Sequence, residues 1–517
     1  MLPDRPSAKV RRVTHQKPLQ IQLFNTESGQ LETVVPVEPG RLRFYSCGPT
    51  VYGNIHIGNL RAALTADAFY RWFKRAGYEV TYVRNYTDVD DKIISRAAEE
   101  GITPDALARK YTQEVEKDYA LAGLEEPTHK TRVTDHIPEI IAMIEKIIAR
   151  GMAYIAPGGD VLFSVESFPG YGRLSHRSLE DNEAGARVDV REGKRSPFDF
   201  SLWKPAKPGE PSWDSPWGKG RPGWHIECSA MACKWLGSKL DVHHGGEDLV
   251  FPHHENEIAQ SEAATGEGPY VRYWVHNRFL NLNQEKMSKS LGNVVTARDF
   301  LARYGGEVSR MMILSAHYRS VIDFNEATLE QALVGLERLY EAKQKAVKLR
   351  ELRSAVPDLR AEAAWGQFAA QCQQAREDVL RALSNDLNTA GAFAAIFSLI
   401  REFNRTLAEP LAQATPSAVL GAEEFIRVLE EELGAVLGVG RSEPSQMLAR
   451  IGAIRAERAK ASGQERPSAE EIEDLIRQRR EARAAKNFAE SDRIRNELDS
   501  RGVVIQDSPA GTTWRYK

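Results

Sequence analysis

The sequence predicts an α/β protein in which a parallel-sheet domain, split by an insertion, precedes an α-helical bundle and a small C-terminal domain. Strand–helix–strand patterns occur near the N-terminus and again after residue 238, and residues 326–439 have an almost purely helical period. The chain has 517 residues, of which 42% are hydrophobic. It is therefore long enough for about three or four domains.

The first half of the sheet follows a polar start, residues 1–20, which we expect to be a disordered extension. RLRFYS (residues 41–46) predicts a strand, residues 58–78 predict an amphipathic helix, and EVTYVRN predicts a second strand. In this order they predict a right-handed parallel βαβ unit of the Rossmann type. Ligands are then expected beyond the carboxyl end of the first strand, in the loop of residues 47–57.

Residues 120–222 break this rhythm with many Gly, Pro, Ser and Trp residues and predict an insertion. The pattern resumes with the strand KLDVHHGG, a helix beginning near Pro252 and the strand VRYWVHN, so the two halves form one domain over residues 21–323. Residues 324–440 predict an antiparallel helix bundle, and residues 441–517 predict a linker followed by a small domain.

Composition bounds the cellular setting. The formal net charge of -3 neither favours nor excludes an RNA partner, because RNA binding depends on local charge clusters. Four cysteines are too few for a disulfide framework in this chain, which favours a reducing compartment. The N-terminus lacks the apolar run of a signal peptide, and no segment approaches ~18 uninterrupted apolar residues. We therefore expect a cytoplasmic chain with no membrane contact.

Two motifs suit a phosphate chain. GPTVYGNIHIGNLR (residues 48–61) combines a strand exit, glycines that allow close backbone approach, and His56 just before a helix N-terminus. EKMSKSLGN (residues 285–293) carries Lys286 and Lys289, which could neutralise the charge that develops as pyrophosphate leaves. Each motif alone has a plain alternative, since turn glycines beside a loop histidine and solvated Lys/Ser loops are common.

Four residues of metal-ligand type stand out, namely Cys47, Cys228, His253 and Glu257. His253 and Glu257 are four residues apart, so on one helix they project from the same face. Two thiolates, an imidazole and a carboxylate form a donor set that favours Zn²⁺. The alternative from spacing alone is that the cysteines are buried apolar residues.

HIGN followed by KMSKS resembles the signature pair of class I aminoacyl-tRNA synthetases. Together with YSCGPTVYGNIHIGN, NYTDVDDK, GWHIECSAM and HHGGEDLVFPHHENEIAQ, these motifs are similar to the cysteinyl-tRNA synthetase family. The resemblance covers the chain from about Gln20 to its C-terminus. It implies activation of L-cysteine by ATP-Mg²⁺ and transfer to the 2′-hydroxyl of the terminal adenosine of tRNA(Cys).

The same resemblance implies one Zn²⁺ per chain, held by the four residues above. A bound Zn²⁺ lowers the pKa of a substrate thiol and binds the thiolate, whereas serine offers a poor ligand. Because a metal bond discriminates more strongly than an apolar pocket, we expect no editing domain.

Other roles are carried over from the family residue by residue. The catalytic residues implied are His56, Asn59, Lys286 and Lys289. The ATP-binding set is these four with Gly58 and Ser288. The substrate contacts implied are Thr87, Trp224, His243 and Asp248, where Asp248 takes the ammonium group and Trp224 forms a pocket wall. Asn59 departs from the second histidine of the commonest signature, and we expect it to keep hydrogen-bonding capacity. Trp224 has a core-aromatic alternative.

The C-terminal segment resembles the anticodon-binding tail of the family, and LSNDLNTAGAFAAIF in the bundle resembles its stem-contact domain. The tRNA contacts implied are Arg477, Arg480, Arg483, Asp507 and Trp514, through phosphates and an unpaired base. Without that context, the arginine-rich helix is more often a solvated face. The family suggests a monomer.

Two other functions stay open at this point, namely a ligase that joins cysteine to an amino sugar in mycothiol synthesis and a non-catalytic tRNA-binding paralogue. The length of chain after Asp323 and the complete motifs disfavour them. A persulfide synthase side activity is not predicted, because Lys92 matches one of the two lysines linked to it and Ser95 replaces the other. His244, His254 and Cys233 are interpreted as structural.

Overall fold

A computed structural model of the chain describes residues 18–177, 193–283, 285–286, 294–355, 363–406, 415–461, 467, 469–508 and 511–516. The chain divides into two compact units, one ending at Ser442 and one beginning at Glu443. In the described part of the chain, no helix is both long and apolar enough to cross a membrane.

The first unit opens with a short antiparallel hairpin and continues into strands and helices of alternating type. The hairpin is β1 (Gln22–Asn25) and β2 (Gln30–Thr33). The elements that follow are β3 (Arg41–Ser46), α1 (Ile57–Arg75), β4 (Glu79–Tyr86), α2 (Asp91–Glu100), α3 (Pro104–Leu121), β5 (His129–Arg132) and α4 (Ile137–Ala149). β3 and β4 are parallel neighbours connected by the buried helix α1, which confirms the predicted βαβ unit.

An antiparallel four-stranded sheet interrupts the parallel pattern. Its strands are β6 (Ala153–Ile155), β7 (Val161–Phe163), β8 (Phe200–Pro205) and β9 (Gly220–Pro222). The predicted start of the insertion at residue 120 is wrong, because β5 pairs in parallel with β4 and belongs to the main sheet. β5 was missed because its sequence, HKTR, is a short polar edge strand without apolar alternation.

The parallel sheet is completed after the insertion by α5 (Trp224–Leu236), β10 (Leu240–Gly246), α6 (Glu255–Thr265) and β11 (Val271–Asn277). The strand order is β11-β10-β3-β4-β5, so the two halves meet where β10 pairs with β3. The sheet is buried on both faces, and Phe44, Val83, Val242 and Trp274 are each 0% exposed. The loops that follow β3 and β10 therefore open at the same edge.

Small elements link the sheet to a helix bundle. They are β12 (Leu280–Leu282), β13 (Glu285–Lys286), α7 (Ala297–Tyr304), α8 (Gly306–Leu314) and β14 (Ile322–Phe324). The bundle comprises α9 (Glu326–Glu351), α10 (Ala363–Ser384), α11 (Thr389–Thr406), α12 (Pro416–Val428) and α13 (Ala435–Leu437). Asp386, between α10 and α11, accepts hydrogen bonds from the Phe24 amide (2.9 Å) and the Tyr318 hydroxyl (2.5 Å), which fixes the bundle to the first half of the unit.

The second unit contains α14 (Pro444–Ala461), α15 (Ala469–Ala484), α16 (Phe488–Ser500), β15 (Val503–Ser508) and β16 (Gly511–Tyr516). Its core includes Ile472, Ile494 and Leu498, and Trp514 packs against it. The α/β sheet, helix bundle and small C-terminal domain together confirm the predicted fold class.

Candidate active site

A cavity of about 400 Å³ lies at the carboxyl edge of the central strands. Its wall includes Cys47 from the loop after β3, His56 at the start of α1, Trp224 at the start of α5, and Asp248 after β10. Gly48 is needed for this arrangement, because a Cβ atom there would lie 1.7 Å from the Asn85 carbonyl oxygen. The topology thus brings residues from both halves of the sheet to one site, as expected for a parallel α/β sheet.

His56 caps helix α1 with its own ring. Its Nδ1 accepts hydrogen bonds from the amides of Gly58 (3.1 Å) and Asn59 (3.3 Å), and its backbone amide donates to Asn59 Oδ1 (3.2 Å). Because Nδ1 is an acceptor, the neutral imidazole carries its proton on Nε2, where it can donate to an anionic oxygen. Sequence reasoning assigned helix amides to the phosphates. Two of those amides bond the imidazole instead, and Asn59 completes the cap.

Described residues on both sides of the lysine-rich segment can be placed. Lys286 lies in β13, which pairs with β12 through Asn281, whereas Ser288 and Lys289 lie outside the described residues. Where the described chain resumes, the Val295 carbonyl accepts from the Ile57 amide (3.1 Å), and the Ala297 amide donates to the Ile55 carbonyl (2.8 Å). The chain just after the lysine-rich segment is therefore hydrogen-bonded to the residues on either side of His56.

A compact group of metal-ligand atoms lies beside the same cavity. One ligand atom from each of Cys47, His253, His254 and Glu257 lies within 4.8 Å of the others. Cys228 Sγ is 3.9 Å from Cys47 Sγ, and His253 Nε2 is 3.1 Å from Glu257 Oε1. All four residues named from the sequence are thus brought together. His253 belongs to a turn of π-helical type, Val250–His254, and helix α6 begins at Glu255, later than predicted.

Hydrogen bonds and neighbouring charges in this cluster favour the ionised forms of Cys228, Glu257 and His253. A hydrogen bond from Cys47 lowers the pKa of Cys228 to about 6, whereas burial raises the pKa of Cys47 well above its ordinary value. Burial opposes ionisation of Glu257 and His253, but the neighbouring His243 lowers the pKa of Glu257 to about 2 and the adjacent Cys228 raises the pKa of His253 to about 10. The site therefore favours one buried thiolate, at Cys228, and one buried carboxylate, at Glu257.

These residues fit a zinc ion. Cys47 Sγ lies 3.9 Å from Cys228 Sγ and 3.8 Å from Glu257 Oε1, which is in turn 3.1 Å from His253 Nε2. Two sulfurs, a carboxylate oxygen and an imidazole nitrogen are thus close neighbours, as in a zinc site. His243 Nε2 is 3.0 Å from Glu257 Oε2, and His225 Nδ1 is 3.0 Å from His253 Nδ1. Such outer contacts orient metal ligands.

His254, interpreted as structural from the sequence, lies inside this group. Its Nε2 is 3.4 Å from Cys47 Sγ, and its Nδ1 is 2.7 Å from His276 Nε2, whose own Nδ1 is 2.7 Å from Thr26 Oγ1. The signal available in the sequence was its position three residues before Glu257, which is also a shared helix face. Burial lowers the pKa of His254 well below its ordinary value, so the ring is neutral.

The four predicted substrate contacts divide into three at or near the cavity and one behind it. Trp224 is 39% exposed, and its ring stacks on His253 at 4.5 Å, so it is not a core aromatic. Asp248 lines the cavity in the short turn after β10. Thr87 is buried next to the loop after β3 and donates to Glu227 (3.3 Å). His243 is 0% exposed and contacts Glu257, so it lies behind the Cys/His/Glu cluster and not on the cavity wall.

In the second unit, some residues predicted to contact RNA are exposed, whereas others already have hydrogen-bond partners within the unit. Arg477, Arg480 and Arg483 are exposed. Asp507 is occupied, because Arg479 donates to both of its oxygens (2.9 and 2.8 Å) and Arg483 donates at 3.0 Å. The Trp514 indole donates to Glu473 at 2.6 Å. Arg479, omitted from the predicted contacts, is only 5% exposed and holds the domain together.

Comparison with family models identifies three regions. Residues 33–334 match the class I (C) tRNA synthetase catalytic domain, residues 378–439 match a DALR domain, and residues 467–515 match the cysteinyl-tRNA ligase anticodon-binding domain.

Similar proteins extend over nearly the whole chain. Proteins named cysteine–tRNA ligase from Geobacter sulfurreducens and Geotalea daltonii are 48% and 47% identical, covering 96% of this chain and 100% of each relative. Among solved structures, methionyl-tRNA synthetase from Mycobacterium tuberculosis aligns with a TM-score of 0.58 at 16% identity, over 80% of this chain and 96% of that chain. A leucyl-tRNA synthetase complex from Agrobacterium radiobacter aligns with a TM-score of 0.55 at 11% identity, over 81% and 86%. At these identities the structures show a shared fold.

Proposed function

The chain belongs to the cysteinyl-tRNA synthetase family of class I aminoacyl-tRNA ligases, and we propose how its own residues divide the work of that reaction. As a cysteine–tRNA ligase it activates L-cysteine with ATP and transfers the cysteinyl group to tRNA. The observation that carries the proposal is that one cavity joins the His56 cap of α1 to a cluster containing Cys47.

In the activation step, the cysteine carboxylate attacks the α-phosphorus of ATP and pyrophosphate leaves. His56 donates from Nε2 to a phosphate oxygen, while Asn59 holds the cap that orients the ring. Lys286, Ser288 and Lys289 bind the leaving phosphates, and Asp248 binds the substrate ammonium. No side-chain nucleophile is required, because positioning and charge neutralisation supply the rate.

Selection of cysteine rests on the buried cluster. We propose Cys47, Cys228, His253 and Glu257 as the ligands of one Zn²⁺, which when bound supplies a Lewis acid that takes the substrate thiol as thiolate. His243 holds the Glu257 carboxylate, and Trp224 covers His253 at the cavity wall. Thr87, whose backbone pairs with Thr50 of the loop after β3, is proposed as a further substrate contact.

Transfer requires the rest of the chain. We propose that the bundle, residues 324–440, contacts the tRNA stem and that residues 441–517 bind the anticodon of tRNA(Cys) through Arg477, Arg480 and Arg483. Trp514 and Asp507 contribute there only if RNA displaces their present partners, Glu473 and Arg479. The enzyme acts as a cytoplasmic monomer in this proposal.

ATP–pyrophosphate exchange tests the activation step. We expect exchange with cysteine, little with serine, and loss of exchange after zinc is removed by a chelator and restored by added Zn²⁺. Exchange that persists after complete zinc removal would refute the metal assignment. Absence of cysteine-dependent exchange in zinc-loaded protein would refute the activity and favour a non-catalytic tRNA-binding role.

A further inference from the structure

Arg84 is a buried cation on the wall of the catalytic cavity to which the reaction above gives no role. It lies in β4 opposite Ser46 of β3, is 3% exposed, and lines the cavity together with His56, Gly58 and Asn59. Alternate residues of a strand share a face, so Arg84 lies on the same face of β4 as Tyr82 and Tyr86.

Among the described residues, the Arg84 guanidinium has no carboxylate partner. In the part of the chain that the structure describes, no Asp or Glu oxygen lies within 4.0 Å of it. One nitrogen donates to the Tyr86 hydroxyl at 3.2 Å, and Nε is buried without a hydrogen-bond acceptor. The nearby Glu116 accepts from Tyr86 at 2.5 Å and from Lys130 at 2.6 Å, so it is already neutralised.

A buried guanidinium without a carboxylate partner costs free energy that folding alone does not explain. The Tyr119 ring offsets part of this cost, since the guanidinium carbon lies 4.4 Å from its centroid and Tyr119 also lines the cavity. The Tyr119 ring holds the Arg84 guanidinium in one orientation, and the Tyr86 hydroxyl takes one of its donors, while Nε is left without an acceptor. This arrangement is preorganised for an anion.

Two features show where the anion would lie. Lys92, near the start of α2, lines the same cavity 5.5 Å from the Tyr52 ring centroid, and no described carboxylate lies within 4.0 Å of its ammonium group. Ala62 and Ala63 of α1 line the cavity with methyl groups only, which leaves room beside the helix start. The cavity therefore has a cationic wall that Arg84 and Lys92 form.

We propose that Arg84, assisted by Lys92, binds a phosphoryl oxygen of ATP and stabilises the triphosphate during activation. This rests on the proposed function. An ATP phosphate fits better than the substrate carboxylate, because a bidentate guanidinium with a second cation suits a multiply charged group.

Binding of AMPPNP with Mg²⁺, compared with binding of adenosine, tests this in the full-length zinc-loaded chain. We expect Arg84→Met to weaken AMPPNP binding about tenfold or more, and Arg84→Lys to recover part of it. Adenosine lacks phosphates, so its affinity should not change. Lys92→Met, at an exposed position, should weaken AMPPNP binding about fivefold and keeps the test valid if Arg84→Met does not fold.

Tyr86→Phe is the matched control, because it removes the hydrogen bond between Arg84 and the Tyr86 hydroxyl but keeps the guanidinium and its contact with the Tyr119 ring. We expect AMPPNP affinity within about twofold of wild type. A purely structural role for Arg84 instead predicts equal losses for AMPPNP and adenosine, with Tyr86→Phe behaving like Arg84→Met.

Two further readouts separate this proposal from its alternatives. Normal ATP–pyrophosphate exchange in the Arg84 variants, combined with slow transfer from preformed adenylate to tRNA, would assign Arg84 to an RNA phosphate and overturn the ATP proposal. Absence of cysteine-dependent exchange in the wild-type chain would instead refute the proposed function itself.

Discussion

His253 and His254 are adjacent in the chain but hold different positions around the Glu257 carboxylate. His253 Nε2 lies 3.1 Å from Glu257 Oε1, whereas His254 Nε2 lies 3.9 Å from that oxygen and 3.4 Å from Cys47 Sγ. The other ring nitrogen of His254 faces His276, which is in turn fixed by Thr26. We infer that His253 is the zinc ligand and that His254 orients the Cys47 sulfur without binding the metal itself.

The two histidines should therefore respond differently to substitution. We expect His254→Asn to weaken zinc affinity about 10- to 100-fold, as loss of an outer contact does, and His253→Asn to weaken it further because a ligand is removed. Competition with a chromophoric chelator measures both. The reverse order of affinities would make His254 the ligand.

Asn59 offers a second test at a single residue. Its side-chain oxygen accepts from the His56 amide, so Asn59→Ala should destabilise the start of α1 by about 1 kcal/mol. Asn59→Asp keeps the acceptor and should retain stability. Denaturant unfolding measures the first effect, and the KM for ATP in exchange measures any direct contact. Equal destabilisation by Ala and Asp would show that the hydrogen bond from the His56 amide does not stabilise the helix start.

At the scale of elements, the sequence predicts those helices and strands whose apolar residues are regularly spaced. β3, α1 and β4 were predicted within a few residues because their buried side chains follow regular spacing. β5 was not, since its parallel pairing with β4 depends on neighbours far along the chain rather than on its own polar residues. The same reason explains His254, whose role depends on Cys47 and His276.

The ion pair between Arg479 of α15 and Asp507 of β15 gives a prediction about the stability of the second unit. Hydrogen bonds from Arg479, then from Thr512, hold the pKa of Asp507 well below its ordinary value. A carboxylate with a lowered folded-state pKa stabilises the fold above the unfolded pKa of about 4, and this contribution is lost as pH falls further. Asp507→Asn should therefore lower the melting temperature of the second unit at pH 7, and the difference from wild type should shrink on acidification.

Asp474→Asn is the control for this effect, because Asp474 pairs with Arg477 on the exposed face of the same helix. Exposed pairs contribute little, so we expect no clear change in melting temperature. If Asp507→Asn melts like wild type but charges tRNA poorly, Asp507 reads RNA directly and its pairing with Arg479 is not needed for stability.

At the scale of the whole molecule, the two compact units separate two parts of the reaction. The cavity, the His56 cap and the metal cluster all lie before Ser442, whereas the match to the anticodon-binding domain lies at residues 467–515. In the function proposed above, activation needs only ATP and cysteine, while transfer needs tRNA held at two places. Loss of one of two linked contacts reduces affinity by about 10²–10⁴-fold without altering the other.

A chain ending at Ser442 should therefore retain cysteine-dependent ATP–pyrophosphate exchange within about twofold of the full-length chain, because no residue proposed for activation is removed. Charging of tRNA(Cys) should fall by about 100-fold or more, mainly through the KM for tRNA. Exchange and charging measured on the same preparation, with zinc content and circular dichroism as controls, give the comparison. Equal loss of both activities in a folded, zinc-loaded chain would mean that the second unit supports the catalytic cavity itself. Full charging by the shortened chain would mean that tRNA identity is read by the first unit, and transfer to an amino sugar would then have to be measured as the competing activity.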